Sequence, residues 1–172
     1  MNKINLFLCL ILVWASAARI NAVATAAAGD LDPTFGPVGY ITTSLSAGPD
    51  RAFAVARQTD GKIVLAGTRN HGFSPNIAVI RYNADGTLDT SFDGDGIVTT
   101  AVAGSSGSQA TALAIQPDGK IVVAGTSTQS GNTLYTVVRY NLNGSLDMSF
   151  DGDGIFTDAS VGASAALATH QI

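Results

Sequence analysis

The pentapeptide DGKIV at residues 60–64 recurs 58 positions later, at residues 118–122. The tripeptide RYN at residues 81–83 recurs with the same spacing, at residues 139–141. A long fixed period of this kind is the signature of tandem structural repeats, and it outweighs any single motif. We therefore read the chain as a series of repeats about 58 residues long.

The dipeptide Leu-Asp begins each repeat, with its leucine at positions 31, 88 and 146. This gives repeat 1 at residues 31–87, repeat 2 at residues 88–145 and a partial, divergent repeat 3 at residues 146–172. Repeat 3 departs from the pattern after about residue 157. We therefore expect this chain to be a truncated or frameshifted form of a longer repeat protein.

Each repeat has residues suited to four short strands. In repeat 2 we predict strands at 96–100, 110–116, 120–125 and 134–140. The second alternates Leu and Ile with Ala, which predicts one bulky and one flat face, and the third is apolar on both faces. Pro117-Asp118-Gly119 between them is typical of a tight turn.

These strands predict an all-β fold of tandem four-stranded repeats, arranged as β-propeller-like blades. A propeller needs about four blades or more to close, whereas fewer than three fit in this chain. The arrangement is therefore expected to be incomplete and open. The alternative is self-association through the open repeat edges, which are an aggregation hazard when left bare.

The first 24 residues have the pattern of a secretory signal peptide. Lys3 precedes an apolar run at residues 6–14, and small residues follow. The run is too short to span a membrane, which takes about 20 residues. Cleavage is expected after Ala24, or as late as Ala28, and it removes Cys9, the single cysteine. We therefore predict a secreted, periplasmic or cell-surface protein without a membrane span in its mature chain.

The charged residues are few and unusual. All 13 acidic residues are aspartate, which favours turns, and the formal net charge is −4. A nucleic-acid-binding protein needs a basic face, so the composition argues against that class.

Three spaced motifs resemble the delta-60 repeat of bacterial exported and surface proteins. They lie at residues 88–96, 116–125 and 139–147, and the resemblance extends over residues 31–157. It implies a β-propeller-like fold and an exported location. The family has no established catalytic residues, so the resemblance assigns none to this chain.

An acidic loop that occurs twice is the strongest candidate site. Its spacing matches the first half of a calcium loop, with oxygen ligands at alternate positions followed by glycine. However, the closing position is Val102 or Ser160 rather than glutamate, and repeat 1 has no carboxylate in the corresponding loop. The alternative is a glycine-rich turn anchored by Phe92 and Phe150. The candidate calcium ligands are Ser91, Asp93, Asp95, Ser149, Asp151 and Asp153.

Arginine and aspartate recur eight residues apart, as Arg81 with Asp89 and as Arg139 with Asp147. They could line a binding face, but we expect an ion pair in each repeat that joins the end of a strand to the next repeat's loop.

The other polar residues give weaker signals. Lys62 and Lys120 are expected to be solvated charges at a strand edge. His71 and His170 lie at unrelated positions and predict no metal site. Asn143-Gly144-Ser145 fits a glycosylation acceptor, but a turn explains it better.

These observations predict a non-catalytic exported protein that acts as a structural or binding module at the cell surface or outside the cell. Its partner would be a protein or a glycan, with no cofactor unless calcium binds. The alternatives are an accessory domain of a longer exported hydrolase and a calcium-stabilised structural array.

Overall fold

The computed structural model describes residues 27–70, 72 and 74–159. This part of the chain contains no helix, and hence none that could cross a membrane. The predicted export segment at residues 1–24, both histidines and the end of repeat 3 lie outside the described residues. The strands are β1 Arg51–Arg57, β2 Ile63–Arg69, β3 Asn76–Tyr82, β4 Ile97–Thr100, β5 Gly107–Ile115, β6 Ile121–Gln129, β7 Asn132–Tyr140 and β8 Ile155–Asp158.

The eight strands form two antiparallel four-stranded sheets, in the orders β1-β2-β3-β4 and β5-β6-β7-β8. We call them the first and the second sheet. The predicted all-β fold with propeller-like four-stranded blades is confirmed, and the described sheets form no closed ring.

The sheets are offset from the sequence repeats by one strand. β4 stands near the start of repeat 2, yet it pairs with β3 from Ile77↔Thr100 to Ile80↔Ile97. In the same way β8 stands near the start of repeat 3 and pairs with β7. Each sheet therefore takes three strands from one repeat and its fourth from the next. The expectation that repeat 2 carries its four strands in one blade was wrong on this point.

The first strand expected in repeat 1 does not form. Residues 40–43 match β4 in sequence, but the structure leaves them outside any strand. The offset explains this, because their partner would be the third strand of a sheet before the first. The described residues contain no such sheet.

The predicted Asp-Gly turns join the first two strands of each sheet. In the second sheet the amide of Gly119 donates to the carbonyl of Gln116 at 2.9 Å, and Gly119 has φ +83°. The same bond joins Gly61 to Gln58 in the first sheet, at 3.0 Å. Glycine adopts this left-handed conformation without steric cost, which accounts for its place in both turns.

A bulge in each sheet explains the Ala-Gly that ends the repeated motif. The register shifts between Ala110 and Ala112 where β5 pairs with β6. A Cβ at Gly125 would overlap the backbone of Gln109, and one at Gly67 would overlap Arg51. Only glycine lets the neighbouring strand come this close at the bulge.

The core lies between the two sheets. Leu113 and Ile115, on the predicted bulky side of β5, pack against it. The hydroxyls of Thr100 and Tyr140 are 2.6 Å apart, which joins β4 to β7 across the core. The buried residues of the core are Val64, Ala66, Ile77, Val79, Phe92, Val98, Val102, Ala110, Ile121, Val123, Val138 and Tyr140.

Candidate functional site

The repeated arginine and aspartate form the predicted ion pair. Arg81 lies near the end of β3, and its Nε donates to Oδ2 of Asp89 at 2.7 Å. The two side chains are 6% and 7% exposed. The guanidinium also donates to Ser91 at 3.1 Å and lies 4.5 Å from the centre of the Phe92 ring. The prediction of a structural pair between a strand end and the next repeat's loop is confirmed.

Arg81 also ties the first sheet to repeat 2. Its Nη1 donates to the carbonyl of Leu142, in the turn after β7, at 2.7 Å. In addition, the amide of Asp89 donates to the carbonyl of Arg81 at 3.0 Å. Arg81 therefore contacts both the loop that contains Asp89, between β3 and β4, and the turn after β7 of the second sheet.

The second copy of this cluster differs by one additional cation. Arg139 donates to Asp147 at 2.7 Å, and its guanidinium lies 4.8 Å from the centre of the Phe150 ring. Lys120 Nζ also lies 3.0 Å from the Asp147 carboxylate. Lys62, expected to be a solvated edge charge, pairs with Asp60 at 2.9 Å, and the two side chains are 28% and 53% exposed. For Lys120 that expectation is incomplete, since the lysine bridges the turn before β6 and a buried carboxylate.

The pairing keeps both aspartates ionised. Burial alone would raise the pKa of Asp89, but hydrogen bonds from Ser91 and the charge of Arg81 outweigh burial and lower this pKa. For Asp147, the Ser149 hydroxyl is the largest cause of a lowered pKa, followed by Lys120. Neither carboxylate therefore holds a proton near neutral pH that it could donate as a general acid.

The first aspartate of the acidic loop has a conformational role. Asp93 has φ +53° and Asp151 has φ +51°. The corresponding residue of repeat 1 is Gly36, with φ +61°. Aspartate and glycine are among the residues that tolerate this left-handed region, so the position selects for backbone conformation.

The other candidate calcium ligands also make bonds within the protein. Oδ1 of Asp95 accepts from the amide of Ile97 at 2.8 Å, and Asp153 makes the same bond to Ile155. The Ser91 hydroxyl donates to Asp89 and accepts from Arg81. Among the described residues, no three histidine, cysteine or acidic side chains are grouped so that they could hold a metal ion. Calcium binding by this loop stays an untested hypothesis.

The Asn143-Gly144 step forms a turn, as expected. Gly144 has φ +91°, and its amide donates to the carbonyl of Asn141 at 3.0 Å. The Asn143 side chain accepts from the amide and the hydroxyl of Ser145. The bonds explain the residues without a glycan.

Two surfaces were missed in the sequence. One is an apolar groove on the first sheet, which includes Leu45, Leu65 and Ile80 in its lining. Next to it, Phe53 and Val55 of β1 are 48% and 66% exposed. The other is a cleft rich in serine and threonine, lined by Pro75, Ser106, Gly107, Ser108, Gln109, Thr126, Thr128 and Thr133. The apolar residues of β1 are the sequence signal for the apolar groove, but the sequence does not show that these residues are exposed.

Two four-stranded antiparallel blades, offset from tandem repeats, place the chain among the propeller-like all-β repeat proteins. In agreement, residues 58–92 and 116–150 match a family model described as a β-propeller domain of unknown function, DUF5122. Each matched stretch runs from the turn before the second strand of a sheet to Phe92 or Phe150, the phenylalanine of the Arg-Asp-Ser-Phe group that we call the arginine cluster. No curated protein matches the chain.

Proposed function

We propose that the chain is an exported, non-catalytic repeat module that acts as a structural or binding unit at the cell surface or outside the cell. The observation that carries this proposal is that the repeated polar residues bond to one another within the fold. In both copies Arg, Asp, Ser and Phe contact one another, and the aspartate side chain is 7% exposed. The arginine, the aspartate and the serine hydroxyl are bonded to one another in both copies, so these groups stabilise the fold and are engaged rather than free to act as acid, base or nucleophile.

Export is supported by the signal-peptide pattern of residues 1–24 and by the likeness to delta-60 repeats, which occur in exported proteins. A binding role is supported by the exposed apolar side chains of β1, since such patches on protein surfaces commonly mark interaction sites. The partner class that we propose is a surface protein or a glycan.

The export part of the proposal is tested by expressing the chain with a C-terminal tag in a bacterial host and fractionating the cells. We expect a processed form outside the cytoplasm that begins at residue 25 or 29 by N-terminal sequencing. A matched variant, Leu10→Arg, places a charge in the apolar run and should leave the chain unprocessed. An uncleaved wild-type chain in the cytoplasm would contradict the proposal.

A further inference from the structure

The contact between the two sheets can be compared with the opposite face of each sheet, which carries the equivalent residues of the repeat. The face of the first sheet that meets the second contains Val64, Val79 and Val98, which are 0%, 0% and 7% exposed. Their equivalents in the second sheet are Val122, Val137 and Phe156. We call this the outer face of the second sheet; both valines are half-buried and Phe156 is 40% exposed.

The same comparison holds for the other side of the contact. Val123 and Val138 of the second sheet are fully buried against the first. Their equivalents, Leu65 and Ile80, are half-buried, and Val55 beside them is 66% exposed. We call Val55, Leu65 and Ile80 the open face of the first sheet. The first strand of the second sheet, β5, packs against β1, β2 and β3. No described strands pack in the same way against the open face of the first sheet.

The start of repeat 1 shows that the open face is shaped to accept a blade. The amide of Gly36 donates to the carbonyl of Asp85 at 2.7 Å, as Asp93 does to Asn143 at 2.8 Å in the internal contact. Tyr82 Oη donates to Thr43 Oγ1 at 2.7 Å, which corresponds to the Tyr140–Thr100 bond. Residues 31–43 thus occupy the place of a blade's fourth strand and the loop before it, and the described residues contain no other three strands of that blade.

We propose that a second copy of this chain supplies the missing strands. The outer face of its second sheet stacks on the open face of the first sheet and repeats the internal contact between copies. This assembly does not depend on export or on an outside ligand, so it goes beyond the proposed role and can fail independently of it. Because the two surfaces differ, the contact is head-to-tail and propagates into a ring or a chain of copies.

One segment must move for the two copies to join. β8 of one copy and residues 40–43 of the next would occupy the same place. β8 is paired with β7 over four residue pairs, from Tyr135↔Asp158 to Val138↔Ile155. Residues 40–43 belong to no strand. Residues 31–43 therefore leave the open face on assembly, and β8 with its loop takes their place.

Cysteine cross-linking tests the register of this contact. Inside the chain, a Cβ at Gly107 would lie 2.9 Å from Cγ of Pro75. The equivalents of Gly107 and Pro75 outside this contact are Pro49, which lies just before β1, and Thr133 in β7; both are exposed. Cβ atoms about 4 Å apart can form a disulfide. We therefore mix two differently tagged proteins, Pro49→Cys and Thr133→Cys, each in a Cys9→Ser background, and oxidise them.

The expected product is a mixed dimer that clearly exceeds both same-variant dimers. The positive control is the double variant Pro75→Cys with Gly107→Cys, which should close a disulfide within one chain and stay monomeric under denaturing conditions. No excess of the mixed dimer, with the control disulfide formed, would overturn the proposal.

Sedimentation of the full chain over a concentration series tests the apolar part of the contact. We expect association that Val55→Asp weakens about tenfold or more, because it places a charge on the open face. Ala103→Asp, at an exposed position in the loop before β5, is the matched control and should associate like the wild type. A wild-type chain that stays monomeric throughout, or association that Val55→Asp leaves unchanged, would refute the proposal.

Discussion

Replacing Arg81 by alanine should destabilise the protein more than the same change at Arg139. Arg81 is paired with Asp89 where both side chains are almost fully buried, and it also donates to Leu142. Arg139 is 21% exposed, and its partner Asp147 keeps Lys120 at 3.0 Å. Among the described contacts, Arg139 has no equivalent of the Leu142 bond. The two copies of one motif therefore serve as controls for each other.

The size of the Arg81→Ala effect follows from what the variant leaves behind. Removing one partner of a buried ion pair costs about 3–5 kcal/mol of unfolding free energy, since the other charge stays buried. Asp89 would keep the amide and hydroxyl of Ser91 as donors, at 3.1 and 2.7 Å. We therefore expect the lower end, about 3 kcal/mol, which for a domain of this size lowers Tm by about 10 °C.

Thermal and denaturant unfolding of the purified chain, followed by far-UV circular dichroism, measures this loss. Lys62→Ala is the surface control, and we expect a change below about 0.5 kcal/mol for its exposed pair with Asp60. The reasoning is refuted if Arg81→Ala is no more destabilising than Arg139→Ala. A Tm within about 2 °C of the wild type would refute it as well.

Three further outcomes can be measured on the same protein. Because the pKa of Asp89 is lower in the folded chain, its contribution to the free energy of unfolding is present above its unfolded pKa of about 4 and is lost as pH falls through the folded value. Asp89→Asn should therefore flatten the acid branch of a curve of stability against pH. An unchanged slope would contradict this. Tyr140→Phe should lower the free energy of unfolding by about 1–2 kcal/mol, because it leaves the buried Thr100 hydroxyl without its hydrogen-bond partner. Tyr82→Phe should lower it less, because Thr43 is half-buried. Equal losses in denaturant titrations would argue against the difference. Since the loop's aspartates serve the backbone, Tm in excess calcium and in chelator should agree within about 1 °C; a calcium-dependent rise that disappears in the double variant Asp93→Asn, Asp151→Asn would instead establish the calcium loop.

The features that depend on neighbouring residues could be predicted from the sequence. The Pro-Asp-Gly turn at residues 117–119 and the hairpin that it closes follow from local backbone preferences. The Arg81–Asp89 pair was predictable because both residues recur with one spacing, in a setting where a buried charge needs a partner. β6 runs on to Gln129, beyond the predicted end at Gly125, because it pairs with β5 as far as Thr128 and with β7 as far as Gln129. Pairing in a sheet overrode the polar character of those last residues.

The phase of the repeat could not be predicted. A period of 58 residues defines the length of the unit, but any window of that length describes it equally well. Whether residues 97–100 pair with β3 or with β5 depends on contacts between segments, which the period does not contain. The acidic loop was ambiguous for a different reason. Aspartate is both a calcium ligand and a residue that tolerates positive φ, and the structure shows the second property at Asp93.

The offset of one strand also explains why the arginine cluster stands out in the sequence. The chain leaves β3 at Tyr82, forms the loop that contains Asp89, and returns to pair β4 with β3. The amide of Arg81 donates to the carbonyl of Gly96, and the carbonyl of Arg81 accepts from the amide of Asp89. The Arg81–Asp89 pair thus closes the loop at the point where one repeat supplies the last strand of its predecessor's sheet. A structural requirement at every such junction produces regularly spaced charged residues, which in a sequence resemble a functional site.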